Sequence, residues 1–118
     1  MKVIENKGEY IFINYDEPYT LNNLIALMKE ASDFCAAEHS EKLLVSIYNM
    51  PGKVSTLDRF ELGIQGTLIF RAKIKIALVY RKEELNFFAE NVAVNRGMNA
   101  RIFSDIHEAK KWLGVENS

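Results

Sequence analysis

Several things are scarce in this chain, and each scarcity excludes something. Cys35 is the single cysteine, so neither an internal disulfide nor a cysteine-based zinc cluster can be built. A lone thiol fits a reducing compartment. There are two histidines, His39 and His107, which leaves little material for acid–base or covalent catalysis. The two prolines, Pro18 and Pro51, stand apart, and no Pro- or Ser-rich linker or internal repeat divides the chain. Fifteen basic residues face 16 acidic ones, for a net charge of −1. That removes the basic excess of a nucleic-acid-binding domain. No apolar run is long enough to span a bilayer, and MKVIENKGEY has no apolar signal-peptide core. We therefore expect a cytoplasmic protein with no nucleic-acid partner and no stable membrane insertion. No Walker loop, Gly-rich dinucleotide fingerprint, H-E-x-x-H or G-x-S-x-G occurs. The expectation is no catalytic residue, no cofactor and no metal.

The chain has 118 residues, 48% of them hydrophobic, enough for one domain over 1–118 with a real core. Lys2 to Glu5 and Tyr10 to Tyr15 predict an N-terminal hairpin, with Gly8 in its turn. Thr20 caps a first helix whose apolar stripe is Leu21, Leu24, Ile25, Met28, Ala31 and Cys35. His39 closes it, suited to the negative end of the helix dipole.

Leu43 to Tyr48 predicts a buried strand, broken at Asn49-Met50-Pro51-Gly52. Ser55-Thr56-Leu57-Asp58 matches a capping box with Asp in place of Glu or Gln. The helix it opens runs to about Phe70, with Leu57, Phe60, Ile64 and Leu68 as its inner face. Gly63 and Gly66 suggest close approach to a neighbouring backbone, in the sheet or in another subunit.

Ile74 to Tyr80 predicts a strand, Glu83 to about Gly97 a third helix with Leu85, Phe88, Ala89 and Val92 inward, and Ala100 to Phe103 a final strand. A last helix is capped by Ser104 or Asp105, packed by Ile106, Ala109, Trp112 and Leu113, and stopped by Gly114. The order β-β-α-β-α-β-α-β-α implies an α/β domain with a mainly parallel central sheet and an antiparallel N-terminal edge strand.

LLVSIYNMPG followed by STLDRF, then IKIALVY, then RIFSDIHEAKKWL, together resemble the STAS domain (sulfate transporter and anti-sigma factor antagonist), in its SpoIIAA-like bacterial branch. The resemblance implies a regulatory or protein-interaction module, a homo-oligomer or a partner of another protein. It also implies phosphorylation near the start of the second helix, where Ser55 and Thr56 stand. The family's Asp-Ser-Ser/Thr-Gly context is here Lys53-Val54-Ser55-Thr56, and Asn49 stands where the branch often has an acid. The branch is distantly similar to CRAL-TRIO-type lipid binders. That implies an alternative: a carrier or sensor of a small apolar, lipid-like or amphipathic ligand beside the second and third helices.

The candidate partner or anion-binding surface is the rim formed by strand ends and helix starts: Tyr48, Asn49, Lys53, Ser55, Thr56, Arg59, Arg81 and Lys82. Against each stands a simpler role. Ser55 as a helix cap explains its residue type. The basic run Arg71, Lys73, Lys75, Arg81 and Lys82 suits a charged rim that discourages edge pairing. Cys35 and His39, four apart on one helix, lack the further ligands of a metal site, and Cys35 falls on the apolar stripe as a buried thiol. Phe70, Phe87 and Phe88 are core residues by default, with an apolar cavity or a dimer face as the alternative.

Overall fold

Leu43, Leu44 and Val45 are consecutive and all buried. Neighbouring side chains in a strand point to opposite faces, so such a run needs a strand covered on both sides. A computed structural model describes residues 2–70, 73–85 and 97–115, and it puts this strand at the centre of the sheet. The sheet holds β1 (Lys2–Asn6), β2 (Ile11–Tyr15), β3 (Lys42–Ser46), β4 (Lys75–Val79) and β5 (Asn99–Phe103), in that spatial order. β1 runs antiparallel to β2, and every other pairing is parallel. The predicted α/β architecture with an antiparallel N-terminal edge is the one observed.

The helices among the described residues are α1 (Leu21–Ala37), α2 (Thr56–Ile69) and α3 (Ile106–Leu113). They divide the core in two. On one face Ile11, Ile13, Leu43, Val45 and Ile76 meet Leu24, Leu27, Ala31 and Cys35 of α1. On the other, Tyr10, Leu44, Ala77 and Val79 meet Ala109 and Leu113 of α3, with Val115 beside them. Lys75 lies over the Trp112 ring, 4.4 Å from its centroid, and its ammonium donates to the Trp112 carbonyl. Of the helix predicted from Glu83, the described residues show a 3-10 turn over Lys82–Glu84 that ends at Leu85 in extended backbone. The predicted remainder, with Phe87, Phe88, Ala89 and Val92, lies outside the described residues, as does Arg71.

Each helix begins on a side-chain cap. Thr20 accepts from the Asn23 N–H at 3.0 Å, Ser55 from Asp58 at 3.1 Å, and Asp105 from His107 at 3.0 Å. α3 stops at Gly114, in the left-handed region at φ 79°. His39 corrects the expectation for it. It lies beyond the helix, after the cap Glu38, and holds φ 56°, while Ser40 N–H donates to Cys35 C=O at 2.9 Å. Its place is set by backbone conformation, in a region L side chains enter at a cost. His39→Gly should therefore raise folding stability by about 1 kcal/mol in urea denaturation. An unchanged or lower midpoint would contradict this reading of the turn.

α2 also corrects its expected inner face. Leu57 is 81% exposed and Leu68 74%, and Phe60 is exposed with them. The face turned inward carries Leu62, Gly63, Gly66 and Ile69. A methyl built on Gly66 would stand 3.1 Å from Met98 Sδ and 3.8 Å from Met28 Sδ. The close approach is thus to two methionine side chains, and the glycine makes room for them. Ser32 Oγ ties α1 to α2 by donating to Ile69 C=O at 3.3 Å. Both stripes of α2 recur at helical spacing, and the one that carries glycine is the one that faces α1.

Candidate functional site

The segment after β3 is held from beneath before it presents anything outward. Ile47 N–H donates to Val79 C=O at 2.9 Å, and Met50 N–H turns back onto Ile47 C=O at 3.1 Å. Ile47, Met50 and Val54 are buried, Met50 completely. Pro51 C=O accepts from Tyr19 N–H at 2.9 Å, and Gly52 takes φ 98°, where an added methyl would stand 3.4 Å from Tyr19 Cβ. Apolar anchors inside and backbone bonds outside make this a preorganised loop.

Arg81 clamps the loop from the other side. Its Nη1 donates to Met50 C=O at 2.8 Å and Tyr48 C=O at 3.2 Å, and its Nη2 to Gly52 C=O at 3.0 Å. The guanidinium also stacks on Tyr80, 4.9 Å from the ring centroid. Only a planar fork reaches three carbonyls in this way. Arg81→Ala should cost about 2 kcal/mol and speed amide exchange over 48–52, with Arg81→Lys recovering less than half. Unchanged exchange there would show that the clamp does not hold the loop.

Arg59 is turned inward as well. Its Nε donates to Val54 C=O at 2.9 Å, and its Nη1 to Glu84 C=O. Nη2 meets Glu84 Oε1 at 3.3 Å, with the two side chains only 13% and 11% exposed. Burial raises the Tyr80 phenol above its ordinary range, working against the lowering effect of Arg81 and Arg59. Tyr19 donates to Asp58 Oδ2 at 2.7 Å. Burial first, and then that bond, hold the Tyr19 phenol well above the usual tyrosine range.

The rim predicted from sequence therefore separates into two sets. Tyr48, Asn49, Lys53, Ser55, Thr56 and Lys82 are exposed. Arg59 and Arg81 spend their donors on the protein's own carbonyls and on Glu84, as supports of the surface. Ser55 Oγ is engaged as the α2 cap. The sequence reading named Tyr48 on this surface but assigned Leu57 and Phe60 inward. Tyr48 is 47% exposed and Phe60 38%, and Leu57 stands between them in sequence. Leu57 is the clearest case: it was visible in the sequence but was assigned inward.

A second feature is a cavity of about 140 Å³ between the α1–α2 pair and the sheet. Leu27, Met28 and Ala31 of α1 and Leu62 and Gly63 of α2 form its roof. Ile76, Leu78, Ala100 and Ile102 form its floor, and Met98 lies beside them. Arg101, the one charged residue among the described wall residues, turns its guanidinium onto Phe103, 5.7 Å from the ring centroid. Cys35 is elsewhere in the same core, and burial pushes its thiol up to about 11. Among the described residues, no group of three or more His, Cys, Asp or Glu could hold a metal, and no helix is long and apolar enough to cross a membrane.

The sheet order and the placement of the helices match the SpoIIAA-like fold of solved structures. An anti-sigma factor antagonist from Mycobacterium paratuberculosis shares it with a TM-score of 0.65 at 9% identity, covering 97% of this chain and 93% of that one. A protein of the DUF3478 family from Shewanella loihica, described as having a SpoIIAA-like fold, gives a TM-score of 0.51 at 19% identity, covering 96% and 92%. No family model matches the sequence, and no curated protein matches it.

Proposed function

We propose that this chain is a non-enzymatic regulatory module that meets a protein partner in the cytoplasm through the 48–58 loop and the outer face of α2. The observation that carries the reading is Leu57, 81% exposed in the first turn of α2 beside a loop that the chain has braced from within. Large apolar side chains held rigidly in water suit an interface centre. The exposed Lys53 and Lys82 suit its polar rim. The anti-sigma factor antagonist fold of one structural neighbour supports a partner that is itself a protein. Ser55 acts in this reading as the helix cap. A phosphate on it would meet the first-turn N–H groups but also the nearby Asp58 carboxylate.

Leu57→Asp tests the reading with little risk to folding, since the site is exposed and an acid suits a helix N-terminus. Stability should stay within about 0.5 kcal/mol of the parent. The complex recovered with wild-type protein from its own cells, whether with another protein or with a second copy, should weaken by about ten-fold or more. A complex that survives Leu57→Asp and Phe60→Ser together would remove this surface.

A second reading is favoured by the apolar cavity: a carrier or sensor of an apolar ligand held between α1, α2 and the sheet. It uses different residues from the first and can hold alongside it.

A further inference from the structure

We propose that the cavity under α1 and α2 is a binding site for one small, neutral, apolar molecule of single-ring or short-hydrocarbon size. The inference rests on the carrier reading and narrows its ligand. Size decides first. The space is about 140 Å³, whereas sites for drug-sized ligands run to roughly 300 Å³ and above. An apolar protein cavity of roughly 150 Å³ stays dry and accepts benzene or xenon. A long acyl chain would have to extend beyond this space.

Chemistry decides next. Among the described residues the wall is apolar apart from Arg101, whose guanidinium turns away onto Phe103 in the opposite face of the sheet. A carboxylate, phosphate or hydroxyl entering here would lose its water and meet no donor from the apolar wall among the described residues, which disfavours it strongly. A hydrocarbon or an arene loses nothing. Ala31, Gly63 and Ala100 are small where larger residues would have closed the gap. Met28 and Met98 contribute flexible, polarizable walls that suit an aromatic guest.

The test uses the full chain with benzene as probe and palmitate as comparison, followed by methyl NMR and thermal unfolding. Benzene should shift the Met28, Met98 and Ile102 methyl signals saturably and raise the melting temperature. Ala100→Leu should fold, melt no lower than the parent, and bind benzene about ten-fold or more weakly. Ile102→Ala, which enlarges the space, should gain binding of a two-ring arene such as naphthalene, so the idea stays testable even if Ala100→Leu fails to fold. Saturable palmitate binding at the same methyls, with benzene unable to compete, would overturn the size assignment and leave the carrier reading standing. Neither probe shifting those signals would overturn both. Benzene binding that persists in a folded Ala100→Leu protein would place the guest elsewhere and overturn the proposal.

Discussion

Arg59→Ala is expected to lose about 3 kcal/mol of folding stability, the lower end of the cost of breaking a buried ion pair. Three losses coincide. The Val54 and Glu84 carbonyls lose their donor, and the Glu84 carboxylate, 11% exposed, is left without its cation. The slight exposure of both side chains allows some rehydration, which keeps the figure at the low end. In urea the midpoint should fall by roughly 1–2 M, given slopes usual for a small domain. Arg59→Lys should recover less than half, because an ammonium cannot reach two carbonyls and a carboxylate in one plane. Pairing Arg59→Ala with Glu84→Gln should cost less than the sum of the two single changes, since each already breaks the same bond. A single-mutant loss below about 1 kcal/mol would mean that the pair is solvated in solution. The prediction also bears on function, because a change at Arg59 that abolishes a complex would report lost support as readily as a lost contact. Leu57 is the cleaner probe.

Met50→Ala is the second large effect, expected at about 3 kcal/mol, within the range for emptying a fully buried methionine site. Here the loss should be local as well as global. Met50 C=O is a main acceptor for Arg81, and its side chain is an anchor of the loop, so both attachments loosen together. Amide exchange over 48–55 should rise more than exchange in β3 or β4 under conditions where the protein stays folded. Partner binding through Leu57 should weaken too, because a mobile loop must be ordered on binding. A uniform rise in exchange across the whole sheet, with no excess in the loop, would show that Met50 is only another core residue.

What could be read in the sequence was what is local. Thr20, Ser55 and Asp105 cap helices because a short polar side chain can reach an N–H two or three residues ahead, and that reach is written in spacing. Gly8 and Gly97 hold positive φ where turns were expected, and Leu43 to Val45 reads as a doubly covered strand from its composition alone. What depended on remote partners was not readable. Met50 looked like part of a strand-breaking loop, and its burial comes from packing against residues distant in the chain. Arg59 and Arg81 looked like free cations because, apart from Val54, the carbonyls that hold them lie 25 to 33 positions away. The faces of α2 were exchanged because periodicity weighs glycine as nothing, whereas packing used Gly66 to admit two methionines. The cavity follows from the same helix placement, and Phe70, one of the aromatics for which a cavity was the alternative reading, lines it.

The division of the core into two faces has a kinetic side. The buried residues of the α1 face come from segments that leave the ribosome early, through Tyr80, and Met98, Ala100 and Ile102 pack on them later. Among the described residues the opposite face has one helical cover, α3, which is synthesised after all five strands. Until residues 106–115 emerge, Tyr10, Leu44, Ala77 and Val79 form a bare apolar sheet surface, the kind of transient exposure from which nascent chains aggregate. α3 is eight residues long, and an isolated helix of that length is unstable in water, so it forms only by landing on this surface. Its Asp105 cap and Gly114 stop delimit the segment that has to land. The last helix therefore governs how long the newborn chain remains sticky, a property of its synthesis that its finished shape conceals.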